Sequence, residues 1–180
     1  SDGETVHGFY YAPKNPEFTA PEGSLPPLLV NVHGGPTSSA RPGLSIAVQY
    51  WTSRGFAFLD VNYRGSTGYG RKYRQRLNGH WGVLDVQDCA EGAQYLVSQG
   101  LADPQRIAIR GRSSGGYTVL SALADSDVFT AGTSLFGIGD LKLLEATTHK
   151  FESHYDKFLI GSDDLSDPVW AKRSPINKVD

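Results

Sequence analysis

A Gly-x-Ser-x-Gly motif at residues 111–115 contains the side chain best suited to nucleophilic chemistry, the hydroxyl of Ser113. The motif lies between an apolar run at residues 107–109 and a helical pattern at residues 117–123. A strand that turns sharply into a helix needs small residues at the turn, because a Cβ there would collide with neighbouring backbone. Such a turn holds the hydroxyl clear of the sheet and aims the N–H groups of the helix N-terminus at a developing oxyanion. The pattern predicts a serine nucleophile; the alternative is a glycine-rich turn that only packs helix against strand.

A second glycine-rich motif, His-Gly-Gly-Pro at residues 33–36, follows another apolar run at residues 28–32. Two glycines after a strand let backbone N–H groups come close to a developing negative charge. In α/β-hydrolases the loop at this position donates one oxyanion N–H group, and the residue after the nucleophile donates the other. Those donors are here Gly35 and Ser114, unless the motif is an ordinary turn. The base of such enzymes follows the nucleophile in the chain, so we expect His33 to fix its loop by hydrogen bonds instead.

A third polar segment at residues 62–71 follows the apolar run at residues 56–61 and reads Asn-Tyr-Arg-Gly-Ser-Thr-Gly-Tyr-Gly-Arg. Loops at the carboxyl ends of parallel strands line the ligand crevice of an α/β sheet. The tyrosines and arginines of this segment suit a peptide backbone or a carboxylate. From the residues alone, an ordinary surface loop is an equal interpretation.

The elements that must position these motifs alternate between strand and helix. The apolar runs are continuous, which is typical of parallel strands covered on both faces, and another run lies at residues 131–136. Residues 5–11 predict an edge strand, and residues 44–53 predict a helix. A further helix has one apolar stripe and an acidic opposite side; the stripe is Val86, Ala90, Ala93 and Val97, and the acids are Asp85, Asp88 and Glu91. Alternating strands and helices predict a doubly wound α/β sheet.

Composition narrows the class of protein further. The chain has 180 residues, a net charge of −2 and a single cysteine, Cys89, which we expect to be a small buried residue. The balanced charge gives no reason to expect a nucleic acid or membrane partner, and no apolar run reaches membrane-spanning length. Neither metal-ligand spacing nor a signal peptide is apparent, so we expect no metal, no cofactor and a cytoplasmic location.

Together and in this order, the three motifs resemble the catalytic domain of the prolyl oligopeptidase family of serine peptidases. The likeness is greatest to its acylaminoacyl-peptidase and dipeptidyl-aminopeptidase-like branch, and it extends to residues 103–108 and 174–177. The resemblance implies an α/β-hydrolase fold with a doubly wound, mainly parallel sheet. It implies a peptidase that cleaves short peptides through an acyl-enzyme on a serine.

The resemblance also assigns roles to individual residues. Ser113 is the nucleophile, the Gly35 and Ser114 amides are the oxyanion donors, and the loop containing Arg64 and Tyr69 borders the substrate. Two alternatives stay open: a carboxylesterase or lipase on the same fold, and a non-catalytic binding domain that kept the hydrolase fold.

One departure from the family concerns the rest of the catalytic triad. The family needs an Asp and a His after the serine, each on a loop that follows a later strand, but only the run at residues 131–136 reads as a strand after Ser113. His149 and His154 have no strand between them and a candidate acid. We therefore expect residues 1–180 to be a partial hydrolase domain, truncated before the last strands and inactive alone. The full protein would add an N-terminal β-propeller and a C-terminal triad segment; homo-oligomer formation is left open.

Overall fold

The computed structural model describes residues 3–147 and 155–179. Its sheet has the order β1-β3-β2-β4-β5, where the strands are His7–Tyr11 (β1), Leu28–Val32 (β2), Ala57–Asn62 (β3), Ile107–Arg112 (β4) and Ala131–Leu135 (β5). Strands β2 to β5 are parallel, and β1 pairs antiparallel with β3 at one edge. The predicted edge strand and the mainly parallel α/β sheet are thus confirmed.

Helices and short connections occupy the chain between and after the strands. They are Ile46–Thr52 (α1), Arg71–Gln75 (α2), Leu84–Ser98 (α3), Ser114–Asp125 (α4), Leu141–Thr147 (α5), Tyr155–Ile160 (α6) and Pro168–Arg173 (α7), with a 3-10 turn at Pro175–Lys178. Local sequence sets two of the starts: the Ser45 side chain accepts a hydrogen bond from the Val48 N–H, and Asp167 accepts one from the Val169 N–H. Within the described ranges, no helix has the length and apolar character that a bilayer crossing requires.

Helices cover both faces of the sheet. On one face, Val48 of α1 packs with Leu29 and Phe58 of the central strands. On the other, α3 and α4 pack against alternate residues of the same strands, such as Val30 and Leu59. This is the doubly wound arrangement that the sequence predicts. It explains why the strands read as continuous apolar runs, since both sides of each central strand are buried.

The side of α3 that the sequence predicts to be acidic is not exposed at Asp85 and Asp88, because both side chains are fully buried. Asp85 accepts hydrogen bonds from the Thr118 hydroxyl at 2.6 Å and the Gly82 N–H at 2.7 Å. Asp88 faces an arginine from another loop. Burying a carboxylate is costly unless such donors surround it, and the Thr118 and Arg64 donors come from distant parts of the chain. Cys89 beside them is buried, as expected.

Strand β5 also departs from the expectation of burial on both faces. Its first three residues are exposed, and the last two are half-buried. In the described chain β5 lies at the edge of the sheet, next to β4 only. The register of this pair matters for the site, because it sets Leu135 beside Arg112 at the end of β4.

Candidate active site

The three motif-bearing loops leave the sheet at the same edge. In the parallel register Val32 of β2 lies between Val61 of β3 and Gly111 of β4, so all three strands end side by side. Carboxyl ends of adjacent parallel strands form the ligand crevice of open α/β sheets. The fold therefore gathers the three motifs that the sequence singles out.

Ser113 occupies a strained turn between β4 and α4. Its backbone φ of 53° and ψ of −125° lie outside the regions that a non-glycine residue normally adopts. Two hydrogen bonds hold it there: its N–H donates to the Leu135 carbonyl at 3.0 Å, and its carbonyl accepts from the Tyr117 N–H at 3.0 Å. The residue is exposed, and its hydroxyl makes no hydrogen bond to any residue in the described ranges. The hydroxyl is thus held open to incoming groups.

Close packing around this turn requires the flanking glycines. A Cβ on Gly115 would lie 2.8 Å from the His33 carbonyl oxygen, and one on Gly111 would lie 3.1 Å from the Gly115 Cα and closer still to its carbonyl group. The first turn of α4 therefore touches both its own strand and the loop after β2. The predicted need for small residues at this bend is confirmed.

The loop at residues 33–36 lies directly against Ser113. A Cβ on Gly34 would lie 3.6 Å from the Ser113 Cβ. Gly35 has φ of 127°, and a Cβ there would lie 2.7 Å from the Thr37 nitrogen. In the described part of the chain, neither the Gly35 N–H nor the Ser114 N–H donates a hydrogen bond. Two unengaged backbone donors thus belong to segments that lie beside Ser113.

His33 fixes this loop by hydrogen bonds, as expected from the sequence. Its Nδ1 lies 2.8 Å from the Gly34 carbonyl oxygen and therefore donates, which leaves Nε2 to accept from the Ser66 hydroxyl at 2.8 Å. The ring stacks on Tyr63, whose hydroxyl donates to the Pro36 carbonyl at 3.1 Å. Burial lowers the pKa of His33, so the ring is held neutral.

The prediction that Arg64 contacts the substrate is corrected by its position. Its side chain is 2% exposed and forms a buried ion pair with Asp88, Nη2 to Oδ1 at 2.6 Å. The Arg64 N–H also donates to Asp88 Oδ2 at 2.7 Å, and the guanidinium reaches Gln87. Both the backbone and the side chain of Arg64 are therefore committed to α3. Its role in the structure is to anchor the loop that carries Tyr63 and Ser66.

Tyr69 lies in the same segment, towards the β1 edge. Its hydroxyl accepts from the Asn62 amide at 2.9 Å, and its ring stacks on His7 with 4.1 Å between centroids. The residue is partly buried. A contact between Tyr69 and substrate remains a prediction.

Sequence reasoning missed the residues that hold the loops rather than line the crevice. Asp88 is the main example: it stands three residues after Asp85, on the side of α3 opposite the predicted apolar stripe. A second example is Tyr155, whose hydroxyl accepts from the Thr37 N–H at 3.2 Å and also contacts the Thr37 hydroxyl. No local pattern identifies such a partner, because it is 118 residues away in the chain.

The remaining candidates for acid, base or metal chemistry are few. His149 and His154 lie outside the described residues. Across the two described ranges, no three His, Cys, Asp or Glu side chains are grouped so as to hold a metal ion. The groups of this site that suit nucleophilic chemistry are the Ser113 hydroxyl and the backbone N–H donors near it.

Comparison with known proteins agrees with the geometry. The model of the prolyl oligopeptidase family matches residues 42–180. The chain is 33% identical to dipeptidyl aminopeptidase BIII of Pseudoxanthomonas mexicana over 86% of its length, and 34% identical to the acylamino-acid-releasing enzyme of Arabidopsis thaliana over 87%. A solved puromycin-hydrolyzing peptidase of Mycobacterium tuberculosis superposes with a TM-score of 0.96 at 50% identity over 99% of the chain.

The chain spans about a quarter of the length of these proteins, between 22% and 27% of each. The family match covers well over half of the chain, and the likeness in fold runs through nearly all of it. This chain is a member of the prolyl oligopeptidase family, with the α/β-hydrolase fold.

Proposed function

We propose that this chain is the nucleophile-bearing part of a serine peptidase that hydrolyses short peptides through an acyl-enzyme. The observation that carries the proposal is the Ser113 hydroxyl, exposed and without a hydrogen-bond partner in the described ranges, on a strained strand-to-helix turn. A serine that served only packing would have no reason to retain this backbone strain.

The first step is attack of the Ser113 Oγ on the carbonyl carbon of the scissile amide. The Oγ–C bond forms, the hydroxyl proton passes to a base, and the carbonyl oxygen becomes an oxyanion. Collapse of the tetrahedral intermediate expels the amine, which takes up the proton. Water then attacks the acyl-enzyme by the same route and restores the serine.

The Gly35 and Ser114 N–H groups are the donors proposed for the oxyanion. Neither is engaged elsewhere in the described residues, and each belongs to a segment packed against Ser113. Fixed donors of this kind stabilise the transition state more than the ground state, because the full negative charge exists only there. The partial positive charge at the N-terminus of α4 lies at the same place and also favours the oxyanion.

The base is proposed to come from outside the described residues. His33 is unsuited, because one ring nitrogen donates to the Gly34 carbonyl and the other accepts from Ser66. Its lowered pKa also makes it a poor proton acceptor at neutral pH. We propose that the acid that would orient the base also comes from outside the described residues.

Amides near the N-terminus of short peptides are the proposed substrate class. The support is in the relatives, which are a dipeptidyl aminopeptidase, an acylamino-acid-releasing enzyme and a puromycin-hydrolyzing peptidase. The β-propeller partner domain remains a prediction from the family resemblance.

The test is hydrolysis by the full-length gene product. We expect cleavage of aminoacyl- or acylaminoacyl-p-nitroanilides, and we expect Ser113→Ala to lower kcat by at least about 10⁴-fold. The matched control is Ser98→Ala, which changes an exposed serine at the end of α3 and should leave kcat/KM within about twofold. Cleavage of carboxylic esters without any of these amides would favour an esterase. Full activity of Ser113→Ala would overturn the proposal.

A further inference from the structure

A cationic cavity lies beside the nucleophile, on the α1 side of the sheet. It has a volume of about 360 Å³, and its lining includes Arg41, Arg110 and Arg112 together with Gly34 and Asp60. Arg110 and Arg112 belong to β4, and Arg112 immediately precedes Ser113. Arg41 comes from the chain that follows the His-Gly-Gly-Pro loop. The cavity is therefore bounded by the two segments that carry the proposed oxyanion donors.

The three guanidinium groups of this cavity are unpaired. Throughout residues 3–147 and 155–179, the side chains of Arg41, Arg110 and Arg112 form no hydrogen bond and no ion pair. Several other arginines are engaged: Arg106 pairs with Asp103 at 2.7 Å, and Arg173 donates to the Gly79 carbonyl at 2.9 Å. Three unpaired guanidinium groups in one lining therefore leave this cavity with unused donors and excess positive charge.

Asp60 does not neutralise the cavity. The register sets Asn31 between Asp60 on β3 and Arg110 on β4, and the Asn31 amide donates to Asp60 Oδ1 at 2.7 Å. No guanidinium group lies within ion-pair distance of Asp60 in the described ranges. The lining thus holds three arginines and one carboxylate, and this charge balance favours an anionic ligand.

We propose that this cavity is a subsite for a carboxylate of the peptide substrate, on an acidic side chain within two residues of the scissile bond. The inference rests on the proposed function, because it places the carboxylate relative to the acyl group on Ser113. Guanidinium groups bind carboxylates through paired N–H donors. An extended peptide residue spans about 3.4 Å. Because Arg112 is adjacent to Ser113, its side chain can reach only substrate residues close to the scissile bond.

Matched peptide amides test the subsite in the full-length gene product. The two peptides of a pair differ only in carrying Glu or Gln at one position. That position is one of the two residues before the cleaved bond or one of the two residues after it. We expect kcat/KM to favour Glu by about 10-fold at one position, as for one charge-assisted hydrogen bond. Arg112→Gln should reduce that ratio to about 1, and Arg110→Gln should lower it as well. Arg74→Gln, on the exposed face of α2, should keep the ratio.

The outcomes separate this inference from the proposed function. If the Gln peptides are cleaved and no position favours Glu, the subsite is wrong while the peptidase stands. If no peptide is cleaved, the proposed function itself has failed. A Glu preference that survives in Arg112→Gln also overturns the subsite. Because Arg112 is exposed, the Arg112→Gln variant still provides the test if Arg110→Gln does not fold. Loss of thermal stability in both variants without any Glu preference would mean that an acidic group of the protein itself fills the cavity.

Discussion

The turn at Ser113 and the loop that contains Tyr63, Arg64 and Ser66 differ in how much of their bonding capacity is used. Both are glycine-containing segments that follow buried parallel strands. Ser113 holds a strained backbone and an exposed hydroxyl with no partner in the described ranges. In the other loop, the hydroxyls of Tyr63 and Ser66 and the guanidinium of Arg64 are all bonded within the protein.

The difference separates the proposed nucleophile from the groups that hold the neighbouring loops in place. An unengaged, exposed hydroxyl is available to a substrate, whereas a saturated and buried arginine is not. The supporting loop acts through contact instead: Asp88 holds Arg64, and Tyr63 and Ser66 hold the loop at residues 33–36. Glycine-rich loops at a sheet edge are thus not equivalent, and hydrogen-bond accounting distinguishes them.

The largest expected effect on stability comes from Arg64→Met. It would leave the Asp88 carboxylate buried without its cation, which typically costs about 3–5 kcal/mol. Denaturant unfolding of the full-length protein measures the loss. The double variant Arg64→Met/Asp88→Leu should recover most of it, because no charge is then buried alone. If Arg64 instead contacted substrate, the single variant would raise KM with stability intact.

Gly35→Ala should act on catalysis. A Cβ at this φ of 127° would lie 2.7 Å from the Thr37 nitrogen, so the loop must shift and move its N–H away from Ser113. We expect kcat to fall by about 10²–10³-fold, the usual effect of losing one oxyanion donor. Gly43→Ala is the matched control, since a Cβ there meets nothing within 4 Å. Equal kcat values in the two variants would remove Gly35 from the oxyanion site.

A smaller effect concerns Asp85, which holds helix α4 through Thr118. Burial raises the pKa of Asp85 to about 6, above its ordinary 3.8. The folded state thus holds this proton more tightly, so the associated stability is present below about pH 4 and is lost as pH rises through 6. Relative to Asp85→Asn, the native protein should lose on the order of 2 kcal/mol between pH 4 and 7.

Thermal unfolding at several pH values measures that difference. The exposed Asp163→Asn should follow the native protein in parallel over this range. If the stability difference between the native protein and Asp85→Asn is the same at every pH, the pKa of the Asp85 carboxyl is the same in the folded and unfolded states. That result would contradict the prediction.

Local sequence predicts the strands and the Ser113 turn because their determinants are local. Continuous apolar runs predict strands that are buried on both faces. The glycines at residues 111 and 115 let the backbone segments around the bend pack closely together. The same reasoning failed for Asp85 and Asp88, since an amphipathic pattern assigns acids to water. Their burial depends on Thr118 and Arg64, which only the tertiary fold brings to α3.

Active-site labelling tests the central claim most directly. A fluorophosphonate reacts covalently with a serine that is both accessible and activated, and peptide mapping locates the adduct. In the full-length gene product we expect one equivalent of label on the peptide that contains Ser113, and none in Ser113→Ala. Stoichiometric label on any other residue, or equal labelling of native protein and Ser113→Ala, would contradict the assignment of Ser113 as nucleophile.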